Sequence, residues 1–333
     1  MTRRSRALRF DTMSPSPDGR ELIAGPDDAG RRLDKVLRVV LKDKPLSAIY
    51  AALRKGRIRV NDLKAEPELR LEEGDRISLQ DQLDIVDEEP SAVVDGDDLG
   101  QIADILILAT EDLFFINKPR GGLSQGRVGL EPRIRKALAG RSARSLSFVP
   151  GPLHRLDRNT TGILTFPRSS AGARAFTALM RERRIVKRYL ALVDGEAPEP
   201  GEWRDRMTRN GVSMTSFVSG EGREASATMR PLLAYGGRSL ILVELRSGLT
   251  HQIRVQASAR GFALSGDAKY GGEPFRGGYI LHAMSLEFPE PPFSDVPRLV
   301  TASLPEEAFA RLAALFGDEA LRSVLEREAA PAR

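Results

Sequence analysis

"HRLDRNTTGILTFPRS" spans His154 to Ser169. Its first half is polar and turn-forming, and its second half carries the apolar run "GILTF". A single acid, Asp157, stands between Arg155 and Arg158. The stretch Asn159-Thr160-Thr161-Gly162 favours a bend, and the run after it reads as a strand. The carboxylate therefore sits at the mouth of a strand, where loops on a rigid scaffold tend to hold reactive groups. By itself, an acid flanked by two arginines is most often a surface ion pair worth little. What else the chain brings to this place decides between the two.

Working outward, "EDLFFINKPRGG" (111–122) reads as a strand ending in a Lys-Pro turn, and residues 123–150 are polar and basic. "SAGARAFTALMRERR" is an amphipathic helix, with Phe176, Leu179 and Met180 inward and Arg181, Arg183 and Arg184 outward. "IVKRYLALVDG", "SLILVELRSG" and "LHAMSLEF" are strands. "LTHQIRVQASARG" is a helix capped by Thr250 and stopped at Gly261, and "PEEAFARLAALFGDEALRSVLERE" is helical. Strands with helices between them predict an α+β domain on a mixed, largely antiparallel sheet.

The sign of the charge marks the domain boundary. Arg31 to Lys64 holds eleven Lys/Arg and three Asp/Glu, whereas Asp81 to Asp104 holds nine Asp/Glu and no Lys/Arg. The acidic stretch, with Pro90, Gly96 and Gly100, reads as a solvated linker over 81–104. Ahead of it, "RRLDKVLRVVL" places Leu33, Val36, Leu37, Val40 and Leu41 on one helical face. "PLSAIYAALRKG" gives a second helix, with Pro45 near a Ser47 cap and Gly56 as its stop. "RIRVNDLKAEPELRLEEGDRISL" gives short strands turning at Asn61-Asp62 and at Glu73-Gly74-Asp75. The expected organisation is a disordered basic arm (1–20), a small domain (21–80), the linker (81–104), the main domain (105–315) and a C-terminal helix and tail (316–333).

Composition narrows the chemistry. The chain has 333 residues, 41% of them hydrophobic, and a formal charge of +5, which suits a polyanionic partner. It has no cysteine, which excludes disulfides, thiolate metal sites and thiol nucleophiles and fits a reducing cytoplasm. No stretch has the ~18 apolar residues of a membrane span, and the basic start lacks the apolar region of a secretory signal. Neither a Walker loop, a G-x-G-x-x-G opening a helix, nor a nucleophile elbow occurs, so no cofactor is expected. The three histidines, His154, His251 and His282, could with Asp157 form a metal site on paper, but they lack zinc-motif spacing; a hydrogen-bonded structural role suits each better. Tyr189 shares a strand face with Lys187, Ala191 and Val193, which fits either core or cleft. Arg254 is either a solvated helix arginine or the partner of a distant carboxylate, which Asp157 could supply.

Four stretches, "FFINKPRGG", "HRLDRNTTGIL", "KRYLALVDG" and "SGLTHQIRVQASARGFALSGDAKYGG…LHAMSLEF", have the order and spacing of the RluA-type pseudouridine synthases, over roughly residues 105–290. About fifty residues of the N-terminal module resemble the alpha-L RNA-binding domain, a module shared with a ribosomal small-subunit protein. Together they resemble the RluC/RluD-like branch, which modifies large-subunit ribosomal RNA. The resemblance implies a cofactor-free isomerase with Asp157 as the essential carboxylate, Arg254 as its partner and Tyr189 stacking on the base or taking a proton from it. It implies phosphate contacts from Arg155, Arg158, Lys118, Arg54, Lys55, Arg57 and Arg59, with further help from Arg133, Arg135 and Lys136. The expected partner is large-subunit ribosomal RNA in a 50S precursor, bound by a cytoplasmic monomer without a membrane. The other readings are a transfer-RNA pseudouridine synthase, a non-catalytic assembly factor that binds ribosomal RNA, and a metal-dependent RNA hydrolase. Four positions depart from the family pattern: Asn159 (usually an acid), Thr161 (Ser), Leu249 (Arg) and Gln256 (His).

Overall fold

The computed structural model describes residues 20–80, 99–124, 130–138, 145–196, 199–211 and 214–329. The basic arm and most of the acidic linker lie outside them. Two compact units fall within Met1–Gly96 with Ala139–Phe148, and within Asp97–Leu138 with Val149–Arg333.

The first unit runs β1 (Arg20–Ile23), α1 (Leu33–Val40), α2 (Leu46–Arg54), β2 (Ile58–Val60), β3 (Leu63–Lys64) and β4 (Arg76–Leu79), with its strands ordered β1-β4-β2-β3. Its core is built as the periodicity dictates, from Leu33, Val36, Leu37 and Leu41 against Ile49, Leu53, Ile58 and Ile77. Asn61 and Asp62 both have positive φ, 51° and 65°, the pair of left-handed residues that a tight two-residue hairpin needs. The helix start differs from expectation: Pro45 is the N-cap of α2, and Ser47 lies inside its first turn. Residues 145–148 fold with this unit, although their sequence neighbours belong to the other. Buried Asp28 accepts from Ser145 Oγ (2.7 Å), the Leu146 N–H (2.7 Å) and Ser147 Oγ (2.5 Å). The expected continuous domain over 105–315 is therefore interrupted.

The second unit contains β5 (Leu106–Ala109), β6 (Leu113–Lys118), α3 (Leu130–Ala137), β7 (Thr161–Pro167), α4 (Ser170–Arg181), β8 (Val186–Asp194), β9 (Gly201–Asn210), β10 (Thr215–Val218), β11 (Arg223–Tyr235), β12 (Arg238–Leu245), α5 (Gln252–Ser258), β13 (Leu281–Glu287), β14 (Leu299–Thr301), α6 (Glu306–Phe316) and α7 (Asp318–Glu328). One sheet carries the strands in the order β10-β9-β11-β12-β8-β13-β7-β6-β5, with β14 also on β13. Only the β13–β7 pair is parallel among the described strands, so the sheet is mixed and largely antiparallel.

Both faces are covered. On one, Ile134 of α3 and Ile253 and Ala257 of α5 pack on Phe114, Leu164, Tyr189, Ala191 and Val193. On the other, Phe176 and Leu179 of α4 pack on Phe115 and Ile163, and Leu312 of α6 and Leu321 of α7 pack on Leu190 and Leu192. Burying such a leucine contributes about 2 kcal/mol. The stretch from 316 onward therefore supplies core to this unit rather than forming a detached tail, and Gly317 (φ 86°) separates two helices where one was expected. A second difference is α3, which occupies part of the stretch read only as polar and basic; its buried residues, Leu130, Ile134 and Ala137, sit at helical spacing between charged ones. Gly162 is where the parallel pair closes: its φ is 107°, and a Cβ there would lie 2.2 Å from the Ala283 carbonyl oxygen.

Candidate active site

Asp157 lies in the loop entering β7, and neighbouring segments pin that loop. His154 stacks on Phe176 and accepts the Thr165 N–H at Nε2 (3.1 Å). Ser124 Oγ both donates to the Leu156 carbonyl and accepts the Leu156 N–H. Gly121 N–H donates to the Arg158 carbonyl (2.9 Å). Lys118, fully buried, donates from Nζ to the carbonyls of Pro119 and Arg158, each at 3.0 Å. This corrects its expected role: Lys118 holds the Asp157 loop from within and is not a surface phosphate contact. Burial pushes it down to about 8, against the pull of Asp157 and with the help of Arg120.

The Asp157 side chain is 16% exposed and opens onto a cavity of about 80 Å³, lined also by Arg155, Thr160, Tyr189, Leu249 and His251. Arg254 Nη1 lies 3.4 Å from Asp157 Oδ2, as the sequence suggested. The main partner of Arg254 is a residue the sequence reading missed. Asp267 takes Nε at 2.6 Å and Nη2 at 2.7 Å, a two-pronged pair that leaves Nη1 for Asp157. Tyr270 and Tyr279 face the guanidinium at 4.8 and 4.7 Å from their ring centroids. Burial works against the Arg254 charge, but the bonds to Asp267 and the nearby negative groups outweigh it and hold its pKa above the usual arginine value. Arg254 is a fixed buried cation rather than a solvated one.

His251 is a second missed residue. It, and not Thr250, is the N-cap of α5, in the left-handed region with φ 59° and ψ 21°. Its Nε2 lies 3.8 Å from Asp157 Oδ2, and its Nδ1 lies 2.6 Å from Tyr270 Oη. Asp267 and Tyr270 come from "SGDAKYGG", a Gly-bounded loop without apolar periodicity, so only its polar residues between glycines could have flagged it.

Tyr189 is buried on the face shared with Ala191 and Val193 and reaches the cavity wall, so it serves core and cleft together. Burial, reinforced by Asp157, raises its phenol above the usual tyrosine value, so it enters as a neutral O–H suited to stacking and hydrogen bonding. Arg155 is exposed at the cavity wall, Arg158 is exposed with its Nε donating to the Gly121 carbonyl (3.2 Å), and Arg54, Lys55, Arg57 and Arg59 are exposed on the N-terminal unit. Arg133 pairs with Asp104 and Arg135 with Glu131, so those two are engaged within the unit. Of the three histidines only His251 lines the cavity; His282 is buried between Thr161 Oγ1 (2.8 Å) and the Ala302 carbonyl (3.0 Å). Among the described residues no group of three or more His, Asp or Glu is placed to hold a metal ion.

Two departures from the family pattern are absorbed by packing. Gln256 is fully buried, accepts from Gln252 Nε2 (3.0 Å) and donates to Asp205 Oδ2 (2.6 Å). Leu249 packs with Met207, Val255 and Tyr270 at the cavity rim.

Comparison with known proteins agrees with this geometry. Residues 112–259 match the RNA pseudouridylate synthase family, and residues 31–77 match the S4 domain. Ribosomal large subunit pseudouridine synthase C of Salmonella typhi is 30% identical, over 85% of this chain and 93% of its own. The protein of that name from Escherichia coli strain K12 is also 30% identical, over 82% and 89%. Human RNA pseudouridylate synthase domain containing 4 shares the fold, with a TM-score of 0.53 and 21% identity, over 68% of this chain and 96% of its own. With Asp157 and Tyr189 lining one cavity, Arg254 set against Asp157 from the interior and an S4 domain earlier in the sequence, the chain belongs to the RNA pseudouridylate synthase family.

Proposed function

We propose that this protein isomerises uridine to pseudouridine in large-subunit ribosomal RNA, acting as a cytoplasmic monomer on a structured precursor. The observation that carries the reading is the Asp157 carboxylate at the cavity mouth, held at 3.4 Å by a guanidinium that Asp267 has already fixed. In this reaction the glycosidic bond breaks, the uracil turns, and a ring carbon joins the anomeric carbon. The proton lost from that ring carbon is balanced by one gained at the freed ring nitrogen, so no cofactor is consumed. Asp157 starts it either by attacking the anomeric carbon or by removing the proton on the adjacent sugar carbon. Both routes require a carboxylate held in register with the sugar, which Arg254 supplies. Tyr189 forms the wall on which the uracil lies. Its raised pKa favours stacking and hydrogen bonding over proton removal.

A stacked uridine must leave its helix to reach this cavity, at a cost of a few kcal/mol. Exposed Arg155 and Arg158 stand where the flanking phosphates would pass, and the exposed bases of the S4 domain extend the grip on structured RNA. The relatives named for the ribosomal large subunit support that choice of RNA. The test is pseudouridine mapping in cells lacking this gene. Loss of modification at one or more large-subunit positions, restored by the wild-type gene, is the expected result. Loss confined to transfer RNA would move the substrate there, and no loss in any RNA would overturn the reading.

A further inference from the structure

We infer that His251 is a positioning residue for Asp157, a neutral imidazole that presents its Nε2–H to the Asp157 carboxylate in a tautomer set by Tyr270. The inference rests on Asp157 being the reacting carboxylate.

The hydrogen-bond chain fixes the proton positions. Tyr270 Oη accepts the Ser216 N–H at 3.0 Å and lies 2.6 Å from His251 Nδ1. On the other side of the ring, Nε2 faces Asp157 Oδ2 at 3.8 Å. A carboxylate offers only acceptors, so a bare Nε2 lone pair would meet it with repulsion. The favourable arrangement puts the proton on Nε2 and lets the Tyr270 hydroxyl donate to Nδ1. Burial favours the uncharged ring and, with Arg254 and Lys269, lowers its pKa against the opposing pull of Asp157 and Asp267. Tyr189, Tyr279 and Lys118 also feel the Asp157 charge.

Two further observations set His251 apart from an ordinary packed histidine. Its backbone holds φ 59°, the left-handed region that non-glycine residues adopt uncommonly and that Gly or Asn takes readily. Its side chain is 14% exposed and lines the cavity rather than the core. The 3.8 Å gap is longer than a hydrogen bond, and in a free enzyme catalytic contacts are often long and tighten as substrate enters. Ser216 lies on β10, so the chain that orients His251 begins on the β9–β10 hairpin.

The test is steady-state pseudouridine formation on a ribosomal RNA fragment by His251→Gln and His251→Asn. A glutamine amide nitrogen can reach the place of Nε2, whereas an asparagine nitrogen stops near Nδ1. The Asn variant relieves the backbone and is expected to keep its melting temperature while kcat falls on the order of 10²-fold, with KM little changed. The Gln variant is expected to recover most of that loss. A wild-type kcat for Asn, a loss confined to KM, or a Gln variant as impaired as Asn would overturn the assignment. If either variant folds poorly, Tyr270→Phe carries the test: it removes the hydroxyl that sets the tautomer, and kcat should fall about tenfold; an unchanged kcat overturns it. Asp157→Asn, assayed alongside, separates the two readings. An active Asp157→Asn defeats the reading of Asp157 itself, whereas an inactive one beside unimpaired His251 and Tyr270 variants defeats only the positioning role.

Discussion

Arg54, Lys55, Arg57 and Arg59 of the S4 domain stand exposed to solvent, whereas Arg254 is 7% exposed and held by Asp267, Asp157, Tyr270 and Tyr279. Both are sets of positive charge on the same chain, and they work by different physics. Exposed bases meet phosphates through water and salt, act additively, and cost little to keep. The buried guanidinium has been taken out of water, so each partner is needed to make that burial tolerable. Charge at the surface gives reach, and charge in the interior gives position.

The largest effect expected from this contrast is on stability at the buried pair. Asp267→Asn leaves the Arg254 charge buried with half its compensation and should cost about 3 to 5 kcal/mol in urea unfolding. Arg54→Gln or Arg59→Gln should stay within about 0.5 kcal/mol of wild type. Similar losses in both places would break the comparison.

Next is pH. Burial holds His282 at about 4 and His154 at about 3, so both remain unprotonated in the folded protein at pH 5. In the unfolded chain they titrate near 6.5 and take up protons below it, so their contribution is complete above that value and is lost as pH falls. Each should cost about 2 kcal/mol between pH 7 and pH 5. Unfolding free energy measured at the two pH values checks this, and a flat profile would contradict the buried, neutral assignment.

The smallest effect per residue belongs to the exposed set. Neutralising one base that contacts a phosphate should lower the slope of log affinity against log salt by about 0.7 to 0.9 while leaving kcat unchanged. A loss of kcat instead would place that residue in the chemistry.

The N-terminal module was legible in the sequence because its signals are local. Leu33, Val36 and Leu37 repeat at helical spacing, and Asn61-Asp62 is a turn by its own chemistry. The α+β sheet and the face of Tyr189 followed from strand alternation. The pairing of Asp157 with Arg254 came from the family resemblance, since they are 97 residues apart and nothing local links them. Burial was the hidden quantity. Lys118 looks in sequence like any basic residue at a turn, yet it is fully buried against the Asp157 loop. Asp267 and Tyr270 stand in a glycine-bounded loop with no periodic pattern, and His251 is set apart by a backbone angle that sequence does not display. α3 was missed because its apolar positions are spread among charged residues.

We propose that one carboxylate, Asp157, starts the reaction. Single-turnover pseudouridine formation on large-subunit ribosomal RNA, compared between wild type and Asp157→Ala, tests it most directly. The expected result is full conversion by wild type and none by the variant, which still binds the RNA and keeps the wild-type melting temperature. Pseudouridine formed by Asp157→Ala at a measurable rate would rule out Asp157 as the reacting carboxylate.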